Sequence, residues 1–287
     1  MDAKILKLAI AAQRREVTEA AVYARLAAAC RNPVNAGILS EIGAEESAHA
    51  EFWKSRTGED VKPDGAAVSR IVAAARLLGL TFALKLMERG EERAQKAYGD
   101  LTAAVPEAAA IAADEERHEF ALIDMLDEER LAYVGSLVLG LYDALVELTG
   151  ALAGFTLALR DTKVITAAGL VTGISAAFSM AASDYLASKA ENDPRAKKSA
   201  IYTGVAYIIT VALLILPFLL IANRFVALGS TLAIAILIIA GFNYYLSVAK
   251  DLDFKRRFAE MSLISLGVAA FSFGVGFLLK TILGVDA

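Results

Sequence analysis

Glu46-Ser-Ala-His49 and Glu115-Glu-Arg-His118 are one phrase written twice, and the only two histidines of the chain fall in it. Residues three apart lie on one face of an α-helix, so each phrase aims a carboxylate and an imidazole at the same point. Upstream of each phrase stands a Glu followed seven residues later by a Tyr: Glu16 with Tyr23, and Glu91 with Tyr98. Seven residues make nearly two turns, so each of these pairs also shares a face. Four helices that project Glu, Glu-x-x-His, Glu and Glu-x-x-His inward form a carboxylate-bridged two-metal site inside a four-helix bundle. Glu16, Glu46, His49, Glu91, Glu115 and His118 are therefore the candidate ligands, with Glu19, Glu88 and Glu92 as additional candidates. Carboxylates can bridge and neutralise two dications, and one neutral imidazole per metal completes the set. Tyr23 and Tyr98 either hydrogen-bond ligating carboxylates or satisfy their hydroxyls locally in a core.

The punctuation around these motifs is readable. The first helix should stop near Asn32-Pro33, because proline disfavours helix in the residue before it. The second should end near Thr57-Gly58, and Pro63-Asp64-Gly65 marks a connection. Ala66–Leu80 is an apolar, helix-prone stretch. It suits the long crossover that a ferritin-like bundle needs between its second and third helices. Its alternative role is an amphipathic segment on a membrane, with Arg70 and Arg76 toward headgroups. The fourth helix should run from about Pro106 toward Arg130 and lead almost directly into an apolar span.

Composition divides the chain. Residues 1–133 hold 23 acids and 17 bases, a net of −6, whereas residues 134–287 hold 10 acids and 12 bases. The second half is a series of apolar stretches, near Val134–Leu159, Val164–Ser188, Ile201–Ala222, Val226–Ala249 and Met261–Leu283. Each reaches the roughly 20 residues that cross a bilayer core. The mean hydropathy of +0.51 agrees with an integral membrane protein. No signal peptide is expected, since no short apolar run with a cleavage site opens the chain. Five spans put the ends on opposite sides. With the N-terminal domain inside, the inner loops carry Lys189, Arg195, Lys197, Lys198, Lys250, Lys255, Arg256 and Arg257. The outer loops and tail then carry Arg160, Lys163, Arg224 and Lys280, so the positive-inside rule places the N-terminal domain in the cytoplasm. The lone Cys30 fits a reducing compartment.

Ionisable groups inside a membrane cost about 2.5–3.5 kcal/mol each on insertion scales, so their positions point to function. Asp143 and Glu147 lie four apart in the first span. Met180 and Asp184 lie four apart in the second, beside Ser175, Ser179 and Ser183. Gly150-x-x-x-Gly154 and Gly169-x-x-x-Gly173 offer faces for close helix contact.

Two resemblances follow from these residues. The segment from about Leu6 to Asp127 resembles the ferritin-like, rubrerythrin-type bundle through Glu16, Tyr23, Glu46, His49, Glu91, Tyr98, Glu115 and His118. That likeness implies a diiron site able to bind Fe²⁺ and oxidise it with O₂ or peroxide. The chain has no Cys-x-x-Cys pair, so the electron-transfer module of full rubrerythrins is missing. Residues 136–283 resemble the vacuolar iron transporter family, through Gly140-Leu-Tyr-Asp143-Ala-Leu-Val and Ser179-Met180-Ala-Ala-Ser-Asp184-Tyr185. This likeness implies that Asp143 and Met180 line a cation path in a homodimer. Ala176 stands where members can carry a second methionine, and the linker Lys189–Ala200 is too short for the metal-binding helices that plant-type members insert. The whole resembles the membrane-bound ferritin group.

The expected fold is therefore all-α, with a ferritin-like diiron domain over residues 1–132 and a five-helix transmembrane domain over 133–287. The expected function is export of Fe²⁺, with Mn²⁺ as a second candidate cargo, across the cytoplasmic membrane. Asp143, Glu147, Met180 and Asp184 are the expected transport pathway, with proton coupling through a carboxylate such as Asp143 or Glu147 that alternates between proton and metal. The expected partners are metal ions, protons, lipid and a second copy of the chain, with no nucleic acid. The rival readings are a membrane-anchored ferroxidase or peroxidase whose spans serve only as an anchor, and a metal store or sensor.

Overall fold

The computed structural model describes residues 1–89, 101, 104–125 and 133–283, and among these no strand occurs. The chain divides into two compact units, Met1–Glu128 and Glu129–Ala287.

Capping chemistry sets the helix bounds of the first unit. α1 (Ala3–Ala29) opens on Asp2, whose carboxylate accepts from the Ile5 amide at 2.8 Å. Asn32 caps α2 (Pro33–Thr57) by accepting from the amides of Val34 and Asn35. Pro33 sits in the first turn, where an amide donor would go unused. α2 ends on Gly58 at φ 71°, a left-handed position that suits glycine. Asp64 caps α3 (Gly65–Leu78) through the Ala66 and Ala67 amides. Residues 80–89 are helical, and α4 spans Ala108–Met125.

α1 and α2 pack antiparallel, with Gln13 near Thr57 at one end and Gly43 against Tyr23 toward the other. α3 turns Val68, Ile71 and Val72 into a core shared with Val22, Leu26, Leu39, Ala83 and Leu84. Burying each such branched side chain is worth about 1.5–3 kcal/mol, so this face holds α3 down. A second cluster gathers Trp53, Ala9, Leu101 and Ile111. The expected ligand helix around Glu91, with Glu92 and Tyr98, lies outside the described residues.

The second unit consists of α5 (Val134–Ala158), α6 (Thr162–Ala190), α7 (Ala196–Leu220), α8 (Arg224–Ala249) and α9 (Phe254–Leu283). All five are long and apolar enough to cross a membrane, which makes this a multi-pass membrane protein. Several helices overrun the apolar stretches: α7 begins before Lys197, and α9 begins before Lys255. Hydropathy marks where lipid begins, whereas intrahelical hydrogen bonds continue into water. Thr149, Thr156, Thr166 and Thr210 each donate a hydroxyl to the carbonyl four residues earlier, so none presents an unsatisfied group to lipid.

α5 packs against all four other spans. It runs in the same direction as α7, since Ser136 meets Ser199 at 2.6 Å and Glu147 meets Tyr207 farther along. It also runs parallel to α9, from Thr149 beside Ser265 to Gly154 against Gly276. Their backbones approach closely because glycine faces the crossings: Gly140 toward the Thr203 carbonyl, Gly150 toward Val268 and Ser272. Gly169 and Gly173 on α6 receive Leu152, Ile215 and Val211. The small-residue faces that the sequence offered for helix association are thus occupied within one chain.

A Cβ at Gly140 would collide with the Thr203 backbone carbonyl, which has no rotamer by which to move aside. Gly140→Ala should therefore lower the detergent-solubilised melting temperature, at an overpacking cost of about 1–3 kcal/mol. Gly135→Ala, with nothing within 4 Å of its new Cβ, should hold or raise it. Equal melting temperatures for the two variants would contradict the close α5–α7 crossing.

Candidate metal centre

Glu16, Glu46, His49 and Glu115 each offer a ligand atom, and those atoms all lie within 4.8 Å of one another. α1 supplies Glu16, α2 supplies Glu46 and His49, and α4 supplies Glu115. Glu16 and Glu46 are 0% and 1% exposed, so two carboxylates face each other away from water. Such a pair needs compensating cations or a proton shared between the two carboxyls. His49 Nδ1 lies 3.4 Å from Glu46 Oε2 and 3.8 Å from Glu16 Oε2. His118, also buried, places Nδ1 3.1 Å from Glu46 Oε1. Glu46 therefore stands between the two imidazoles, as the spacing of the repeated phrase predicted for its own helix.

The outer nitrogens show an exchange that the phrase alone did not reveal. His49 Nε2 meets Asp114 Oδ2 at 3.2 Å, and His118 Nε2 meets Glu45. Each of these acids immediately precedes the Glu of its own phrase, yet reaches the histidine of the other helix. Arg117 joins the two acids, donating to Glu45 Oε2 at 2.7 Å and to Asp114 Oδ1 at 2.8 Å. The signal was present in the sequence as an acid repeated just before both phrases.

On the α1 side Arg15 supplies the countercharge. Its guanidinium lies 3.4 Å from Glu16, 3.6 Å from Glu19 and 4.0 Å from Glu115. Glu19 thus faces Arg15 in this arrangement. Glu88 pairs with Lys85 at 2.9 Å, one turn away on its own helix. Tyr23 is buried in the α1–α2–α3 core.

Burial raises Glu16 above the ordinary carboxylate range, and the nearby Glu46 adds to the rise. Burial alone would raise Glu46 too, but hydrogen bonds from His118, His49 and Glu16 bring it down to about 2. Burial opposes charge on His49, yet Glu16, Glu46 and Asp114 lift it to about 11. His118 is raised in the same way by Glu46 and Glu45, while hydrogen bonding to His118 lowers Glu45. The metal-free cluster is therefore a lattice of carboxylates held by imidazolium and guanidinium groups. Carboxylate oxygens with imidazole nitrogen form a donor set suited to iron, manganese or zinc. Glu16, Glu46, His49 and Glu115 would hold a metal, with Nδ1 as the inward nitrogen and Nε2 anchored by an acid.

In the membrane unit Asp143 is half-buried, and Glu147, one turn on, is exposed on α5. Tyr207 donates its hydroxyl to Glu147 at 2.7 Å, and Tyr142 donates to Asn243 Oδ1 at 2.8 Å. Asp184 belongs to a different level. Its Oδ2 accepts from Ser199 at 2.8 Å and Thr203 at 2.7 Å, and Ser199 also meets Ser136. Ser136 precedes Asp143 by seven residues, about 10 Å along the helix. Met180 is half-buried against the span core. The expected pathway residues therefore occupy at least two depths along the spans. Tyr142, Tyr207 and Asn243 escaped sequence reading because each looks like an ordinary span residue until its partner is placed.

A multi-pass membrane protein with a buried carboxylate–imidazole cluster is the class that these two units define. Residues 134–198 match the model of the VIT family, so that segment of the membrane unit is similar to vacuolar iron transporters. No curated protein matches the chain.

The two raised histidines and the lowered glutamate fix how the metal-free cluster responds to pH. His49, lifted to about 11, contributes stability that is complete below its ordinary value near 6.5 and fades as pH rises toward 11. Glu46, lowered to about 2, contributes stability that is complete above about 4.5 and fades as pH falls toward 2. Metal-free protein should therefore be most stable between about pH 5 and 6, read from the single tryptophan, Trp53, buried in α2. Adding Fe²⁺ or Mn²⁺ at neutral pH should release protons as the imidazoles lose theirs, and His49→Ala with His118→Ala should remove most bound metal. Unchanged metal stoichiometry in that double variant would overturn the cluster's role.

Proposed function

We propose that this protein exports Fe²⁺, with Mn²⁺ as a second cargo, across the cytoplasmic membrane, and that its N-terminal unit is a ferritin-like domain that captures the metal. The observation that carries this reading is one chain joining a buried Glu/His cluster to a VIT-type membrane region with acids on its central span. An anchor has no need of Asp143 and Glu147, each of which costs about 2.5–3.5 kcal/mol to insert. That cost is why the transporter reading is preferred to an anchored ferroxidase. The bias of Lys and Arg toward the loops after α6 and α8 supports an N-terminal unit in the cytoplasm.

In this reading Glu16, Glu46, His49 and Glu115, joined by His118 and by Glu91, which lies outside the described residues, take metal from the cytoplasm. Ferroxidase chemistry would be what a bound diiron centre supplies. The chain's own residues bind the cation, neutralise it and give up imidazole protons. In the membrane Asp143 and Glu147 exchange proton for metal, since a carboxylate serves either cation. Tyr207 orients Glu147 for that exchange. Met180 contributes a softer thioether, and Asp184 a hydroxyl-bound carboxylate at a second depth. Glu147 is exposed on α5 although it lies within a span. A charge facing lipid is costly, which supports a homodimer in which a second copy covers it.

Purified protein in proteoliposomes should carry Fe²⁺ and Mn²⁺, and a pH gradient should accelerate the flux. Asp143→Asn should abolish flux while metal binding by the N-terminal cluster survives. Met180→Ala should weaken flux less, because a thioether is a poorer ligand than a carboxylate for these ions. Wild-type flux from a correctly inserted Asp143→Asn protein would leave the anchored enzyme as the better reading.

A further inference from the structure

α3 has two faces, and the metal reading uses neither. Val68, Ile71 and Val72 point into the core of the first unit. The opposite face is open, and with α1 it borders a shallow groove of about 690 Å³ whose lining includes Arg25, Ala28, Ser69, Ala73, Arg76 and Leu77. Leu77 is 77% exposed, more than a leucine needs to be at the end of a packed helix.

The charge around this groove is segregated from the rest of its domain. Residues 1–133 carry a net charge of −6, yet residues 20–40 and 65–87 contain no Asp or Glu. Those two acid-free segments hold Arg25, Arg31, Arg70 and Arg76, all exposed. Among the described residues none of the four has a carboxylate within ion-pair distance. The groove is walled by small alanines, so a flat partner can come close to the backbone. Arginine at its edges suits phosphate, which it binds in a bidentate fork.

We infer that this α1–α3 face docks on an anionic lipid surface, with Arg25, Arg70 and Arg76 on phosphate headgroups and Leu77 in the interfacial layer. Charge complementarity selects this occupant. A domain of net negative charge is repelled by an anionic bilayer on average, so an acid-free arginine face is favoured as the side that turns toward it. An amphipathic helix with arginine on its polar edge and leucine beside it is the usual form of such contacts. The chain carries its own spans, so the bilayer is present at high effective concentration. The inference is independent of the metal reading.

The test uses the full chain in nanodiscs of phosphatidylcholine, with or without phosphatidylglycerol. A nitroxide is placed at Ala73→Cys in a Cys30→Ser background, and a control nitroxide at the exposed Glu51→Cys. Collision with dissolved oxygen against a water-soluble nickel chelate reports depth. Phosphatidylglycerol should make position 73 oxygen-accessible and nickel-shielded while position 51 remains aqueous. Each arginine changed to glutamine should weaken docking about fivefold, so Arg25→Gln, Arg70→Gln and Arg76→Gln together should return the label to water. Unchanged Trp53 emission verifies that a variant is folded, and Arg76→Gln alone carries the test if the triple variant is not. Identical nickel access in both lipids would overturn the inference. Shielding in detergent that grows with protein concentration would assign the face to a second copy. Shielding produced by inorganic phosphate without lipid would assign it to a soluble anion.

Discussion

Glu46 is the group on which the first unit turns. It is buried, it accepts from both imidazoles, and it lies against Glu16 from α1. Removing one partner of such a buried ion pair typically costs about 3–5 kcal/mol, because the other is left charged and dry. α1, α2 and α4 are consequently held in one register by charge as well as by apolar packing. The outer acids Glu45 and Asp114, tied together by Arg117, keep the histidine rings from rotating away. One divalent cation taking the place of the two imidazole protons would leave the net charge of the cluster unchanged.

The membrane unit obeys a different constraint. Lipid gives no hydrophobic reward for bringing helices together, so close packing and internal hydrogen bonds must hold them. α5 does both. Gly140 and Gly154 admit the backbones of α7 and α9, and Tyr142, Glu147 and Thr149 reach polar partners on three other spans. The span that carries the costly acids is also the span that touches every neighbour. Scaffold and polar seam are one helix.

Much of this was legible in the residues. Capping groups and prolines gave α1 and α2 to within a few positions, because Asn32, Pro33 and Gly58 act locally. The five spans were legible because twenty apolar residues have few other uses. The Glu-x-x-His repeat located the cluster because two histidines at one spacing constrain each other. What stayed hidden was pairing across helices. Glu45 and Asp114 reach the histidines only because the antiparallel packing of α2 against α4 crosses them over. The glycine faces of α5 and α6 offered close helix contact without naming the partner, and Val211, Leu152 and Ser272 of the same chain fill them. The hydroxyl partners of Asp184 on α7, Ser199 and Thr203, were likewise not legible.

The pairing of Glu147 with Tyr207 also says something about biogenesis. α5 is made first, but the hydroxyl that Glu147 accepts is encoded 60 residues later, and the Asn243 that receives Tyr142 comes 101 residues later. At about 5–20 residues per second of synthesis, these groups wait roughly 3–20 seconds for their partners. During that interval Glu147 and Tyr142 lack the hydrogen-bond partners that the folded unit gives them, so the first span carries an added insertion cost until α7 and α8 emerge.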